Sequence, residues 1–267
     1  MRDGGGLGSP VRRPGSLLAF VLLMVGCAIP GPGVTPVPHT PSPETTANLP
    51  HVEPEDVLVP GAEGLALHGI WRSGGGRTGP AVLLLPMYGG RRHDWDALAA
   101  SLQQAGVASL AIDLRGQGDT GGAEDWTLAV DDVAAAQDWL AARPEVDPQR
   151  RGTVGASIGA NLALAHAARH PDVRVVALLS PGLDYFRVTI EGLMGLYGDR
   201  PILLVASEKD GYSAETVLTL ADEAEGRAEL VVYPGGAHGT EMFFTQSSLL
   251  DTLIHFLRSS LEGSSKS

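Results

Sequence analysis

From residue 56 onward, short apolar runs alternate with longer segments whose apolar residues recur every three or four positions. The runs at 57–59 and 65–71, split by Pro60-Gly61, read as an antiparallel strand pair. Six more follow at 81–85, 107–112, 152–154, 173–179, 202–206 and 230–233, rich in Val, Leu and Ile and closed by turn residues. Parallel strands covered on both faces have this signature. Helical stretches lie between them near 94–105, 127–142, 158–169, 214–225 and 247–261. The alternation predicts an α/β domain: a doubly wound, mostly parallel eight-stranded sheet with helices on both faces. No internal repeat or second domain interrupts it.

Before residue 56 the pattern changes. Arg2, Arg12 and Arg13 precede an apolar run at 17–25, too short to span a bilayer as a helix and the right length for the core of an export signal. Small residues close it at Gly26, Cys27 and Ala28. Leu23-Met24-Val25-Gly26-Cys27-Ala28 resembles a bacterial lipobox, with Met24 where Leu is usual. That resemblance implies lipidation of Cys27; the alternative is ordinary cleavage nearby with Cys27 incidental. Arg12-Arg13 hints at twin-arginine export, but Pro14-Gly15-Ser16 match that signal poorly. Residues 28–55 hold eight of the chain's 19 prolines, so they can neither pair backbone nor bury a face and should form an extended tether. The expected organisation is 1–27 signal peptide, 28–55 tether and 56–267 folded domain, exported to the cell surface and lipid-anchored to the membrane.

Charge and composition narrow the partners. With 19 basic against 31 acidic residues and a net charge of −12, the chain lacks the basic surface that nucleic acid requires. Its lone Cys excludes a disulfide framework and a Cys-rich zinc site. At 43% hydrophobic and 19% charged, the chain is too apolar to stay disordered.

The chemistry is carried by loops after the strands, because open parallel sheets bind ligands beyond their strands' carboxyl ends. After the run at 152–154 stands Gly155-Ala156-Ser157-Ile158-Gly159, between an apolar strand and an Ala/Leu-rich helix. A serine on so tight a turn leaves no room for neighbouring side chains, hence the flanking glycines. The turn would lift Ser157 Oγ over the sheet and place the Ile158 N–H at a helix N-terminus, facing any anion formed there. The plainer reading is a Gly-rich helix start with a capping serine. A serine nucleophile needs a base. His238 follows the last strand in Pro234-Gly235-Gly236-Ala237-His238-Gly239. Of the other histidines, His39 and His51 fall in the tether, His68 in a strand, and His166, His170 and His255 on helices, while His93 opens the next helix. Asp210, in Ser207-Glu208-Lys209-Asp210, is the candidate acid, with Glu208 and Asp184 as rivals. Serine, acid and histidine then follow the chain order of α/β-hydrolases.

From residue 56 on, the chain resembles the α/β-hydrolase fold family, nearest in style to the dienelactone-hydrolase-like serine esterases. The carriers are Asp113-Leu114-Arg115-Gly116-Gln117-Gly118-Asp119, 155–159, 207–210 and 236–239. Dienelactone hydrolases use a cysteine where this chain has Ser157, which points to ordinary esters. Such folds usually carry His-Gly after the third strand. The resemblance maps Pro86-Met87 onto that pair and gives an oxyanion-hole N–H to Tyr88, with Met87 or Gly89 as alternatives and a turn without catalytic role as the plainer reading. The loop 113–119 is implied to be scaffold. Only about 22 residues separate the strands ending at 179 and beginning at 202, where larger relatives insert a cap. Phe186, Leu193, Met194, Leu196 and Tyr197 would make one short helix there, lining a shallow pocket or packing into the core. The implied activity is cleavage of carboxylic esters of small or exposed acyl groups, with Ser157, His238 and Asp210 as triad, Tyr88 and Ile158 N–H as oxyanion hole, and neither cofactor nor metal. The same triad could serve an acyltransferase or peptidase, and a non-catalytic binding module on this scaffold is the remaining alternative.

Overall fold

A computed structural model describes residues 52–75, 78–224 and 227–262. The signal segment, Cys27 and nearly all of the tether lie outside the described residues. The domain opens with β1 (Glu55–Pro60), β2 (Ala66–Arg72) and β3 (Gly79–Leu85). Then come α1 (Asp96–Gln104), β4 (Ala108–Ile112), α2 (Trp126–Ala141), β5 (Val146–Ala156), α3 (Ile158–Ala167) and β6 (Val173–Leu179). After a two-stranded hairpin, β7 (Asp184–Tyr185) with β8 (Val188–Thr189), follow α4 (Met194–Tyr197), β9 (Ile202–Ser207), α5 (Gly211–Glu223), β10 (Ala228–Tyr233), α6 (Met242–Thr245) and α7 (Leu249–Leu261). Among the described residues no helix is long and apolar enough to cross a membrane.

Eight strands make one sheet in the order β1-β2-β4-β3-β5-β6-β9-β10. β1 and β2 pair antiparallel, β2 runs antiparallel to β4, and all later neighbours are parallel. Side chains alternate between the faces along each strand. Ala81, Leu83 and Leu85 of β3 join the core beneath α2, α3 and α5, whereas Val82 and Leu84 join the core beneath α1 and α7. All ten residues of α3 are buried. This explains why its sequence is apolar all round rather than striped.

Three details depart from the sequence reading. β5 begins at Val146, six residues early, because 147–150 are polar and partly exposed and the ladder is irregular around 151–152. Asp210-Gly211 carries no apolar signal, yet α5 already starts at Gly211. The 180–201 segment is not one helix: Phe186 sits in the β7–β8 turn, while only Met194–Tyr197 are helical. There Met194 and Tyr197 are core, the Tyr197 hydroxyl donating to the Pro201 carbonyl at 2.6 Å, and Leu196 points to solvent.

α3 also buries an ionisable group. His166 is 3% exposed and stacks on His170 with ring centres 4.0 Å apart. Burial, aided by the neighbouring His170, pushes its pKa down to about 4 from 6.5. The folded protein therefore holds His166 neutral while the unfolded chain takes up a proton below about pH 6.5. This contribution is complete above that pH and is lost as pH falls toward 4, amounting to about 3 kcal/mol. Urea unfolding at pH 7.5 and 4.5 should show that loss in the wild type, and a clearly smaller loss in His166→Phe.

Candidate active site

β5 ends at Ala156, and the chain turns at Ser157 directly into α3. Ser157 has φ 53° and ψ −122°, a region that costs a residue with a side chain about 1–3 kcal/mol. Neighbouring glycines make the turn possible. A Cβ on Gly155 would stand 2.1 Å from the Gly159 carbonyl oxygen, and one on Gly159 would stand 2.4 Å from that of Leu85. The Ser157 N–H donates to the Leu179 carbonyl at 2.8 Å, and its own carbonyl accepts from Ala160 and Asn161. The Ile158 amide heads α3 with no acceptor among the described residues, an open donor at the positive end of a helix.

Asp210 occupies the position before α5 where a capping carboxylate would sit, but it makes no capping bond. Its Oδ2 lies 2.7 Å from His238 Nδ1 instead. The two loops that carry the pair are sewn together. Lys209 N–H donates to the Gly235 carbonyl at 2.8 Å, Glu208 N–H to that of Tyr233 at 2.9 Å, and Ser207 Oγ to that of Ala237 at 2.7 Å. With Nδ1 on the carboxylate, Nε2 is the ring nitrogen left for proton exchange. No hydrogen bond joins Ser157 to His238 among the described residues; such bonds are often long before substrate arrives. The rival acids are engaged or turned away. Asp184 accepts from Arg187 N–H at 2.9 Å and Thr189 Oγ at 2.6 Å within the hairpin, and the Glu208 side chain is exposed. His93 pairs with Asp96 at 3.2 Å at the start of α1.

Tyr88 stands in the turn after β3, and its amide has no partner among the described residues. The Gly89 amide is occupied, donating to Gln117 Oε1 at 2.9 Å, and the Met87 carbonyl accepts from Gly90 at 2.9 Å. The loop 113–119 braces this turn from behind. Buried Asp113 pairs with Arg92 and accepts from Arg92 N–H at 2.7 Å and Asp119 N–H at 2.9 Å, while Arg115 holds Asp132 at 2.6 and 2.8 Å.

The sequence reading missed Tyr185 and Asn161. Tyr185 lies half-buried with its ring edge-on to His238 at 6.3 Å, and its hydroxyl is 3.2 Å from Ser213 Oγ. Burial pushes its phenol pKa up, against the pull of the neighbouring Ser213 and Ser157 hydroxyls, so it stays protonated beside Ser157. Asn161, fully buried on α3, donates to the Gly182 and Val188 carbonyls at 2.7 Å each and accepts from Gly182 N–H at 3.2 Å. The one available signal for Tyr185 was its place after β6, at the sheet's carboxyl edge. Asn161 had no signal beyond a polar residue in an otherwise apolar helix.

This arrangement has relatives. The model of the alpha/beta hydrolase fold family matches residues 80–196. An uncharacterized protein of Mycobacterium tuberculosis is 30% identical over 224 residues, covering 76% of this chain and 78% of the relative. The chain belongs to the alpha/beta hydrolase fold family. A polyketide transferase of Stachybotrys chlorohalonatus is 31% identical over 136 residues, 49% of this chain and 46% of that protein. Among solved structures of this fold, a dienelactone hydrolase from Anabaena variabilis superposes with a TM-score of 0.60 at 22% identity, covering 78% of this chain and 97% of that one.

As in other strained turns of alpha/beta folds, the backbone at Ser157 is held against its own preference, which a residue without a Cβ does not resist. Ser157→Gly should raise the melting temperature by about 3 °C, for a net gain of about 1 kcal/mol. Calorimetry of the two proteins side by side checks it.

Proposed function

We propose that this alpha/beta hydrolase is a serine esterase that cleaves carboxylic esters of small or exposed acyl groups at the cell surface, held there by a lipid on Cys27. The observation that carries the catalytic reading is the 2.7 Å bond between Asp210 and His238 Nδ1, at the same sheet edge as the strained Ser157 turn. In this mechanism Ser157 Oγ attacks the ester carbonyl carbon while His238 Nε2 takes its proton. The carbonyl oxygen becomes an oxyanion facing the Tyr88 and Ile158 amides, donors left open among the described residues. Asp210 fixes the imidazole tautomer and stabilises the imidazolium. Collapse breaks the bond to the alcohol, which leaves with the proton from His238. Water then attacks the acyl-enzyme, His238 takes its proton, and the acid departs as Ser157 regains a hydrogen. No step calls on a cofactor.

A second reading has one observation in its favour, the likeness to a polyketide transferase, of which this chain spans less than half. In it the acyl-enzyme passes its acyl group to an alcohol or amine instead of water.

Hydrolysis of p-nitrophenyl acetate, butyrate and octanoate by the full chain, with fluorophosphonate labelling, tests the first reading. Ser157→Ala should lose both label and turnover, and Asp210→Asn should lose about 10⁴-fold in kcat, while Glu208→Gln, at the exposed rival acid, stays within about threefold of wild type. A folded wild type that takes no label would sink the serine mechanism. Product analysis with added alcohols separates the readings: transfer requires that esters of the acceptor outweigh free acid. For the anchor, Cys27→Ala should move the protein from the membrane to the soluble fraction of a bacterial host.

A further inference from the structure

Three aromatic rings meet without being buried beyond the carboxyl ends of the strands, the sheet edge that also carries Ser157. Phe186 stacks on Trp126 with ring centres 4.9 Å apart and planes 20° apart. Tyr88 lies 5.2 Å from Phe186 and 6.2 Å from Trp126. Tyr88 and Phe186 remain 51% and 49% exposed. Both ends of this ledge join the site. The Tyr88 amide is a free donor after β3 among the described residues, and Phe186 follows Tyr185, whose ring stands edge-on to His238. Beyond Phe186 and Trp126 a groove of about 360 Å³ continues over α3 as far as Ala165, bordered by Arg169 and Arg187.

The position of Phe186 is costly for the chain. Phe186 and Arg187 form the two-residue turn of the β7–β8 hairpin with φ of 52° and 68°. Turns with both central residues at positive φ favour Asn-Gly, because a bulky side chain is strained there. The hairpin nevertheless holds this geometry, fixed through Asn161 and the Asp184 carboxylate. A strained, half-exposed phenylalanine stacked on a tryptophan gives the domain little core. Its open face is a flat apolar surface on the sheet edge that carries Ser157. Exposed clusters of this kind mark binding surfaces.

We propose that Tyr88, Trp126 and Phe186 form a subsite for a flat, aromatic portion of the ester, which makes the enzyme select aryl over alkyl esters. Ring faces bind other rings by offset stacking and edge contacts that an alkyl chain does not make. The guanidinium planes of Arg169 and Arg187 extend the same preference along the groove. This inference rests on the serine-hydrolase reading above.

The test uses the full chain and Phe186→Asn, which supplies the residue type such a turn prefers. Values of kcat/KM are measured for 1-naphthyl acetate and methyl 1-naphthoate, with the ring on either side of the ester, and for ethyl acetate and methyl butyrate. Each is expressed relative to wild type on the same substrate, so differences in leaving group cancel. The expected result is a loss on at least one aryl ester about tenfold greater than on the alkyl pair, with the ratio restored in Phe186→Tyr. Phe186→Asn should melt no lower than wild type. Equal losses on aryl and alkyl esters overturn the subsite, and so does a clearly lowered melting temperature, which would make the rings structural. Fluorophosphonate labelling of Ser157 separates the two claims. A labelled wild type with equal losses defeats the subsite alone, whereas an unlabelled, folded wild type defeats the hydrolase reading and the subsite with it.

Discussion

A serine held at φ 53° between β5 and α3 sets the terms for the rest of the domain. The turn closes because the chain folds back on Gly155 and Gly159 at distances no Cβ tolerates. Strain of about 1–3 kcal/mol persists only where surrounding structure over-determines it. Here the clamp has three parts: the Leu179 carbonyl on β6, the Leu85 carbonyl on β3 against Gly159, and the complete burial of α3 behind the turn. β5 lies between β3 and β6, paired to each in parallel, so the strained residue springs from the middle of the sheet, where the ladder yields least.

Burying α3 on every side requires a cover on the face turned away from the sheet, and the 180–201 segment supplies it. Asn161 is the link. Its three hydrogen bonds to Gly182 and Val188 draw the hairpin onto the helix, and none of its polar atoms stays unpaired in an apolar setting. Thr216 Oγ accepts from Leu183 N–H at 3.2 Å, and Tyr212 Oη accepts from Asp184 N–H at 2.9 Å, so α5 holds the same segment from the other side. The bonds that finish the core thus also hang Tyr185 and Phe186 over the edge where Ser157 stands.

Much of this was legible in the sequence because sheet and helix periodicity report burial, and burial is what a doubly wound sheet imposes. All eight strands of the main sheet, five of the helices and the pairing of Asp210 with His238 lie where alternation and strand-end position put them. Local exceptions were less readable. The polar start of β5 and the Asp210-Gly211 opening of α5 carry no apolar signal. The hairpin was hidden for a stronger reason: Phe186-Arg187 is a turn sequence that local propensity argues against. Bonds from Asn161, distant in sequence, and from the Asp184 carboxylate hold it against that preference.

The balance between hydrolysis and transfer in the proposed mechanism turns on water. His238 is 31% exposed on its side chain and Asp210 16%, and a short hairpin stands where larger relatives carry a cap. A site that passes an acyl group to a chosen acceptor must keep water from the imidazole while the acyl-enzyme waits. Tyr185 sets its ring edge-on to the imidazole at 6.3 Å and leaves the imidazole part-exposed. In the proposed mechanism water would reach the acyl-enzyme past the part-exposed imidazole, and an acceptor alcohol would have to compete with it by affinity. That physical disadvantage is why hydrolysis is the first reading, even with a transferase among the relatives.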